Sequence, residues 1–329
     1  MTTTQALVCH HLAPDLAGVR LDVVELPPPG AGQVAVDVQA AAFNHPDLLM
    51  THGGYQHKPA LPYVVGLEGA GVVTRLGPGV DGVTLGQRVC FGGKEGAIAR
   101  QVVMPVSALR PWPAGFDAAE AAAYYVCAST AWVSLVVRGQ LQAGEVLLVH
   151  GASGGTGAAA VQLGHHLGAR VIATGTSAER LAPLGALGAE GLLTTGGGFR
   201  DAVKAFTAGR GADVIFDPVG GDVFDESVRC IAPDGRLLVV GFTSGRVASV
   251  ATNHVLIKSF SVVGVRAGEY LRNHPDRAPG IVARLARLPE EGAFRPLIGA
   301  RFPLTQAVQA MQALRQRQVP GKVVVEMPP

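Results

Sequence analysis

The chain has 329 residues, of which 48% are hydrophobic and 16% charged, with a formal net charge of +2. That length predicts about two domains. The near-balanced charge excludes a nucleic-acid or acidic-membrane partner held by bulk electrostatics.

The four cysteines, Cys9, Cys90, Cys127 and Cys230, are widely spaced and form no C-x-x-C pair. This pattern argues against a zinc framework or a disulfide scaffold, and for reduced thiols in the core. No charged-then-apolar leader opens the sequence, and no apolar run reaches the roughly 20 residues that cross a bilayer. A cytoplasmic location is therefore the expectation.

Residues 1 to about 124 read as β-rich. Apolar segments at 34–39, 69–76 and 101–105 are separated by turn clusters at 27–30, 77–79 and 81–82. Strands this closely spaced predict a partly closed barrel. Asp117, with Glu120 three residues on, has the spacing of a helix N-cap, and the alanines that follow predict a helix running toward Tyr124 and beyond.

From about 125 to 265 strands and helices alternate. Strands are expected at 146–149, 170–174, 213–217, 236–241 and 260–265, with helices near 157–167 and from Ala178. This rhythm predicts an α/β fold with a doubly wound parallel sheet. Beyond 265 come a polar helical region, a break at 289–292, a helix near 304–317 and a strand at 322–326 that returns to the first domain. The expected division is 1–124 with 266–329, and an inserted domain at 125–265.

Within the second region, the buried strand at 146–149 runs into His150-Gly151-Ala152-Ser153-Gly154-Gly155-Thr156-Gly157 and then a helix. The glycines allow a tight turn with no Cβ between the amides and a phosphate. The helix that follows would aim free amides and its positive dipole end at that anion. Strand, loop and helix in this order mark a dinucleotide site, with Ala152 in place of the first motif glycine.

Several stretches together carry a resemblance. They are Phe43-Asn44-His45-Pro46-Asp47, Gly53-Gly54-Tyr55, the run from Leu61 through Gly66-Leu67-Glu68 to Val73, the loop at 150–157, Asp217-Pro218-Val219-Gly220-Gly221, and Gly241-Phe242. In this order they resemble the medium-chain dehydrogenase/reductase superfamily, and within it the zinc-free NADPH:quinone oxidoreductase, or zeta-crystallin-like, branch. The resemblance spans essentially the whole chain. It implies a Rossmann domain for NADPH and a discontinuous GroES-like β-barrel domain for the substrate.

Zinc members of the superfamily carry a cysteine where this chain has Asn44, and Gly-His-Glu where it has Gly66-Leu67-Glu68. Asparagine and leucine cannot supply the thiolate and imidazole of a tetrahedral catalytic zinc. No cysteine lies between Phe91 and Pro113, so the structural-zinc lobe is missing as well. A metal-free enzyme is implied, with Glu68 in a structural hydrogen-bonding role.

For the cofactor, NAD-specific sites place an acid roughly 20 residues beyond the glycine loop. The segment Thr174-Gly175-Thr176-Ser177 has none. By similarity, Ser177 and Arg180 match the residues that hold the 2′-phosphate of NADPH, although a tyrosine common after the next strand is Thr195 here. The resemblance assigns Ser153, Gly154, Gly155, Thr156, Gly157 and Gly175 to the cofactor as well. Thr130 would lie near the nicotinamide, with Gly241, Phe242 and Val265 lining its other side.

Asn44 and Tyr55 match positions that orient a substrate carbonyl, and Asp47 accompanies them or braces their loop. Leu49 replaces a further tyrosine and implies a more apolar pocket. The implied reaction is hydride transfer from NADPH to a quinone or an α,β-unsaturated carbonyl in the cleft between the domains. Two alternatives stand beside it: an enoyl or acryloyl thioester reductase, and a non-catalytic, crystallin-like NADPH-binding protein. The expected partners are a small-molecule substrate and a second copy of the chain, joined through the sheet edge of the nucleotide domain.

Overall fold

A computed structural model describes residues 2–327. Its contacts divide the chain into two units, Met1–Val126 with Pro296–Pro329, and Cys127–Arg295. In chain order the first unit carries β1 (Thr2–Cys9), β2 (Val19–Leu26), β3 (Gln33–Ala42), β4 (Tyr63–Val64), β5 (Glu68–Leu76), β6 (Arg88–Gly92), β7 (Gln101–Pro105) and β8 (Leu109–Pro111). The second carries β9 (Val146–Val149), β10 (Arg170–Gly175), β11 (Ala189–Thr194), β12 (Ala212–Asp217), β13 (Ile231–Val239) and β14 (Ser261–Gly264). Strands β15 (Ile298–Pro303) and β16 (Lys322–Glu326) complete the first unit.

In the first unit β3 is central. It pairs antiparallel with β5, β7 and β16 in a sheet of order β15-β16-β3-β5-β6-β8, while β2-β1-β4 forms a second sheet. Register shifts between β3 and β5 bend the larger sheet, as bulges do. A bridge between Ala6 and Ala99, with Leu7 N donating to Ile98 O at 2.9 Å, joins the smaller sheet across the core. Val34, Val36, Val38 and Ala41 of β3 bury into that core with Leu7, Ile98 and Val323. This is the barrel-like β-domain that the closely spaced turns predicted.

The second unit is a six-stranded sheet of order β11-β10-β9-β12-β13-β14, with every pairing parallel. Strand β9 is apolar at all four positions and buried at all four, as an inner strand covered on both faces must be. From β9 the chain winds outward through β10 and β11, then returns to β12 on the other side of β9. The strand order therefore reverses at β9/β12, and ligands of such sheets bind outside the carboxyl ends of the strands at that point.

Two expectations about helices and boundaries are revised. Asp117 does cap a helix, Ala118–Ala122, through a reciprocal pair with Glu120 (2.8 and 3.0 Å). That helix ends there; a second, Tyr125–Trp132, follows and passes into a π-helical turn, Val133–Arg138. Segment 266–295, assigned from sequence to the first domain, makes its contacts in the second unit. Gln162 of the helix Gly155–His166 exchanges hydrogen bonds with the Arg295 backbone at 3.0 and 3.1 Å, and His166 lies 3.5 Å from Glu291. All four cysteines are buried and none is in a disulfide. Among the described residues no helix is long and apolar enough to cross a membrane.

Candidate active site

At the end of β3 the chain turns through Asn44 into the helix His45–Thr51. Pro46 sits in its first turn, where the missing N–H costs nothing. Asp47, at the third helical position, accepts the Asn44 backbone N–H at 2.7 Å.

The Asn44 side chain is fully engaged. Its Nδ2 donates to Glu68 Oε1 at 3.0 Å and to Ala42 O at 3.3 Å, and its Oδ1 accepts from Lys322 Nζ at 2.6 Å. Lys322 Nζ also donates to Glu68 Oε1 at 2.9 Å, and Glu68 Oε2 accepts the Val126 N–H at 3.0 Å. Asn44, Glu68 and Lys322 are 7%, 2% and 4% exposed. An ion pair this deep is tolerable only when the remaining polar atoms are hydrogen-bonded as well, which this closed network achieves.

Glu68 therefore has the structural role expected of it. Asn44 differs from expectation: with both amide hydrogens taken, its side chain braces Glu68 and Lys322 and is not free to orient a substrate carbonyl. Lys322 was not singled out from sequence. Its only signal is a lysine opening the otherwise apolar run Val323-Val324-Val325.

These residues do not fit a catalytic zinc. The Lys322 ammonium is already the cation between Asn44 and Glu68, position 67 is aliphatic, and position 44 offers a neutral amide. Among the described residues no three His, Cys, Asp or Glu side chains converge on a common point.

Asp47 is completely buried and its Oδ1 has no hydrogen-bond partner. Burial pushes its carboxyl up to about 7, reinforced by Glu68 and opposed by the Asn44 N–H and the Lys322 charge. A carboxyl raised in the folded state keeps its proton longer there than in the unfolded chain. Its contribution to stability is present at pH 4 and is lost as the pH rises through 7. Asp47→Asn is expected to remove that dependence, whose slope is at most about 1.4 kcal/mol per pH unit. Urea unfolding of both proteins between pH 4 and 8 would check this; identical slopes would contradict it.

Tyr55 follows in the turn after the helix. It is half-buried, with its ring against the core of the first unit. Its hydroxyl has no hydrogen-bond partner among the described residues, so it retains a proton to donate. Leu49 is half-buried on the helix.

In the second unit the expected cofactor residues collect at the carboxyl edge of the parallel sheet. After β9, Gly151 takes a left-handed conformation (φ 56°) and Gly154 N donates back to Gly151 O at 3.0 Å. Gly157 lies against that turn: a Cβ there would stand 2.3 Å from Gly151 O and 2.7 Å from Ala152 Cα. The helix Gly155–His166 has Gly154 at its N-cap and no side chain capping its first turn. The amides of half-buried Ser153, Gly155 and Thr156 are thus left for whatever anion approaches.

At the end of β10, Gly175 leads to Ser177, which caps the short helix Ala178–Leu181 by accepting the Arg180 N–H at 3.3 Å. Accepting leaves the Ser177 hydroxyl hydrogen available to a ligand. The Arg180 guanidinium donates to Thr176 Oγ1 at 2.6 Å, and Thr195 N donates to Gly175 O at 2.9 Å. Gly175, Thr176 and Ser177 carry no carboxylate; the nearest in sequence is exposed Glu179 on the helix.

After β12, Asp217 accepts the N–H groups of Val219 and Gly220 at 2.8 and 2.9 Å. This turn stands next to Gly151, and Gly241 packs on Pro218. Phe242 follows with 41% exposure, and Val265, past β14, donates its N–H to Val239 O at 2.9 Å. Ser153–Gly157, Gly175, Ser177, Arg180, Gly241, Phe242 and Val265 therefore lie along one edge of one sheet. Thr130 belongs to the same unit, half-buried on the helix Tyr125–Trp132. Asn44, Asp47 and Tyr55 belong to the first unit.

Known proteins share this arrangement. A family model described as "Alcohol dehydrogenase GroES-like domain" matches residues 30–138, and one described as "Zinc-binding dehydrogenase" matches 155–287. The quinone oxidoreductase-like protein 2 homolog of Nematostella vectensis is 35% identical over 300 residues, covering 90% of this chain and 82% of its own. The chain belongs to the medium-chain dehydrogenase/reductase superfamily.

Among solved members of that superfamily, the quinone oxidoreductase of Thermus thermophilus, whose complex with NADPH is also known, superposes with a TM-score of 0.83. It is 32% identical, covering 98% of this chain and 100% of that one. Mycoketide-CoA synthase of Mycobacterium tuberculosis is 35% identical over 304 residues, 92% of this chain and only 7% of the synthase. The chain is thus an oxidoreductase of quinone oxidoreductase-like type, with a nucleotide-binding fold, that also resembles a segment of a much larger synthase.

Proposed function

We propose that the protein is a metal-free, NADPH-dependent reductase that delivers hydride to a quinone or an α,β-unsaturated carbonyl, and that it works in the cytoplasm. The observation that carries this reading is the loop after β10. Its turn Gly175-Thr176-Ser177 has no carboxylate and offers the Ser177 hydroxyl hydrogen, the helix it opens carries the Arg180 guanidinium next to exposed Glu179, and an uncapped helix N-terminus lies on the same sheet edge. A carboxylate there would repel a 2′-phosphate; a serine and an arginine attract it.

When bound, NADPH would supply the hydride. The protein's part is to hold the reactants in register and to stabilise charge on the acceptor oxygen. Tyr55 is the best-placed donor for that oxygen, because its hydroxyl is uncommitted while the Asn44 amide is not. Metal independence follows from the donor set: the Lys322 ammonium already provides the cation at Asn44 and Glu68.

Fluorescence titration with NADPH and NADH tests the cofactor assignment. Tighter binding of NADPH is expected, and equal dissociation constants would contradict it.

The match to a segment of mycoketide-CoA synthase favours a second reading, reduction of an enoyl thioester on the same cofactor site. Competition between quinone, simple enone and acyl-CoA enone substrates separates the two readings.

We also propose a homodimer joined along β14. That strand ends the parallel sheet with an open edge. Val262 on it is 40% exposed, and the preceding helix Thr252–Lys258 presents Leu256 and Ile257 at 79% and 75% exposure. An open apolar edge of this kind needs a covering strand, and a second copy supplies one. Sedimentation velocity should give twice the chain mass, with Val262→Lys shifting the protein to monomer; a monomeric wild type would refute the dimer.

A further inference from the structure

The residue immediately before the glycine turn, His150, is completely buried. Its Nδ1 lies 2.7 Å from Thr174 Oγ1 and its Nε2 lies 2.7 Å from Ser227 Oγ. The direction of these bonds follows from Ser227, whose hydroxyl hydrogen goes to Val223 O at 2.7 Å. Ser227 Oγ can therefore only accept from the ring. Nε2 carries the ring hydrogen, Nδ1 is the acceptor, and Thr174 is the donor. Burial pushes the imidazole down to about 3, so the ring is neutral throughout the physiological range. The Phe199 ring, 4.9 Å away, packs against it.

Each end of this relay belongs to a different part of the sheet's carboxyl edge. Thr174 directly precedes Gly175 and the loop holding Thr176, Ser177 and Arg180, and its carbonyl accepts the Ala152 N–H of the glycine turn at 3.0 Å. Ser227 lies on the helix Gly221–Cys230, which starts from the Asp217–Gly221 turn beside Gly151. A neutral histidine with one donor and one acceptor nitrogen is the group that joins a hydroxyl which must donate to one which must accept. Isosteric apolar residues would fill the volume without setting the rotation of Thr174.

We infer that His150 is a positioning residue: the Thr174–His150–Ser227 relay fixes the 175–180 loop against the glycine turn and so sets the protein's preference for a 2′-phosphorylated nucleotide. This rests on the reading that Ser177 and Arg180 hold that phosphate.

The test compares wild type, Thr174→Val, which deletes the donor at nearly constant volume, and Thr174→Ser, which keeps it. Thr174→Val should raise the NADPH dissociation constant about tenfold, the worth of one buried hydrogen bond, while leaving NADH binding within about twofold. Thr174→Ser should restore the wild-type ratio. In nitrogen-15 spectra the wild-type His150 ring is expected as the Nε2–H tautomer, and Ser227→Ala should shift it toward Nδ1–H.

A Thr174→Val protein with a lower Tm but an unchanged NADPH-to-NADH ratio overturns the inference and leaves the relay as packing. An Nδ1–H ring in the wild type overturns it even if Thr174→Val does not fold. Wild type that binds both nucleotides equally is a different failure: it removes the phosphate reading itself, and the inference with it.

Discussion

Replacing Lys322 with methionine is expected to destabilise the protein by about 3–5 kcal/mol, the range for breaking a buried ion pair from one side. The methionine fills most of the volume, so the loss is electrostatic. Glu68 would be left at 2% exposure with one oxygen supported only by Asn44, and Asn44 Oδ1 would lose its donor. Glu68→Gln alone should be costly for the mirror reason, a buried ammonium facing a neutral amide. The double variant Glu68→Gln/Lys322→Met leaves no uncompensated charge and should be less destabilised than the sum of the singles. Urea denaturation of the four proteins measures this coupling. Strict additivity would mean that the two side chains act independently, contrary to their 2.9 Å contact.

The second large effect concerns the cofactor. Arg180→Ala should weaken NADPH binding by roughly tenfold to a hundredfold, the value of a charge-assisted hydrogen bond, and leave NADH binding nearly unchanged. The Arg180 guanidinium donates to Thr176 Oγ1 at 2.6 Å, and its backbone N–H donates to Ser177 Oγ, so charge and hydroxyl stand side by side. Raising the salt concentration should narrow the gap between the variant and wild type for NADPH only, since screening acts on the phosphate contact. Equal weakening of both nucleotides would make Arg180 a structural residue of its helix.

These two sites differ in how far they could be read from the chain itself. The cofactor edge is built from local patterns. An all-apolar β9, a glycine turn and an uncapped helix follow one another in sequence, and Ser177 and Arg180 sit three residues apart on one cap. Strand β16 was legible for the same reason, since three consecutive valines can be little else.

The Lys322 network was not legible. It joins residues 278 and 254 positions apart, and only the pairing of β16 with β3 brings the lysine beside Asn44 and Glu68. In isolation a lysine at a strand's start reads as a solvated end. The same distance effect hid the role of Asn44, whose neighbours in sequence say nothing about who takes its amide hydrogens. The place of segment 266–295 is not legible because an apolar stripe such as Ile281, Leu285 and Leu288, along the helix Ala278–Arg287 and its C-cap, predicts burial without saying which unit it packs on. Among its contacts with the second unit is a glutamine on the helix Gly155–His166 meeting the peptide of Arg295, 133 positions away in sequence. The two-residue strand β4 and the three-residue β8 are too short for any periodicity to register.

The most direct measurement is steady-state oxidation of NADPH by the chelator-treated protein, with 1,4-naphthoquinone, a simple enone and crotonyl-CoA offered in parallel. Metal-free hydride transfer to a quinone or enone predicts turnover with at least one of the first two, at the same rate before and after exposure to EDTA. Activity that disappears with the chelator and returns with zinc, or NADPH that binds without being oxidised by any acceptor, would contradict it.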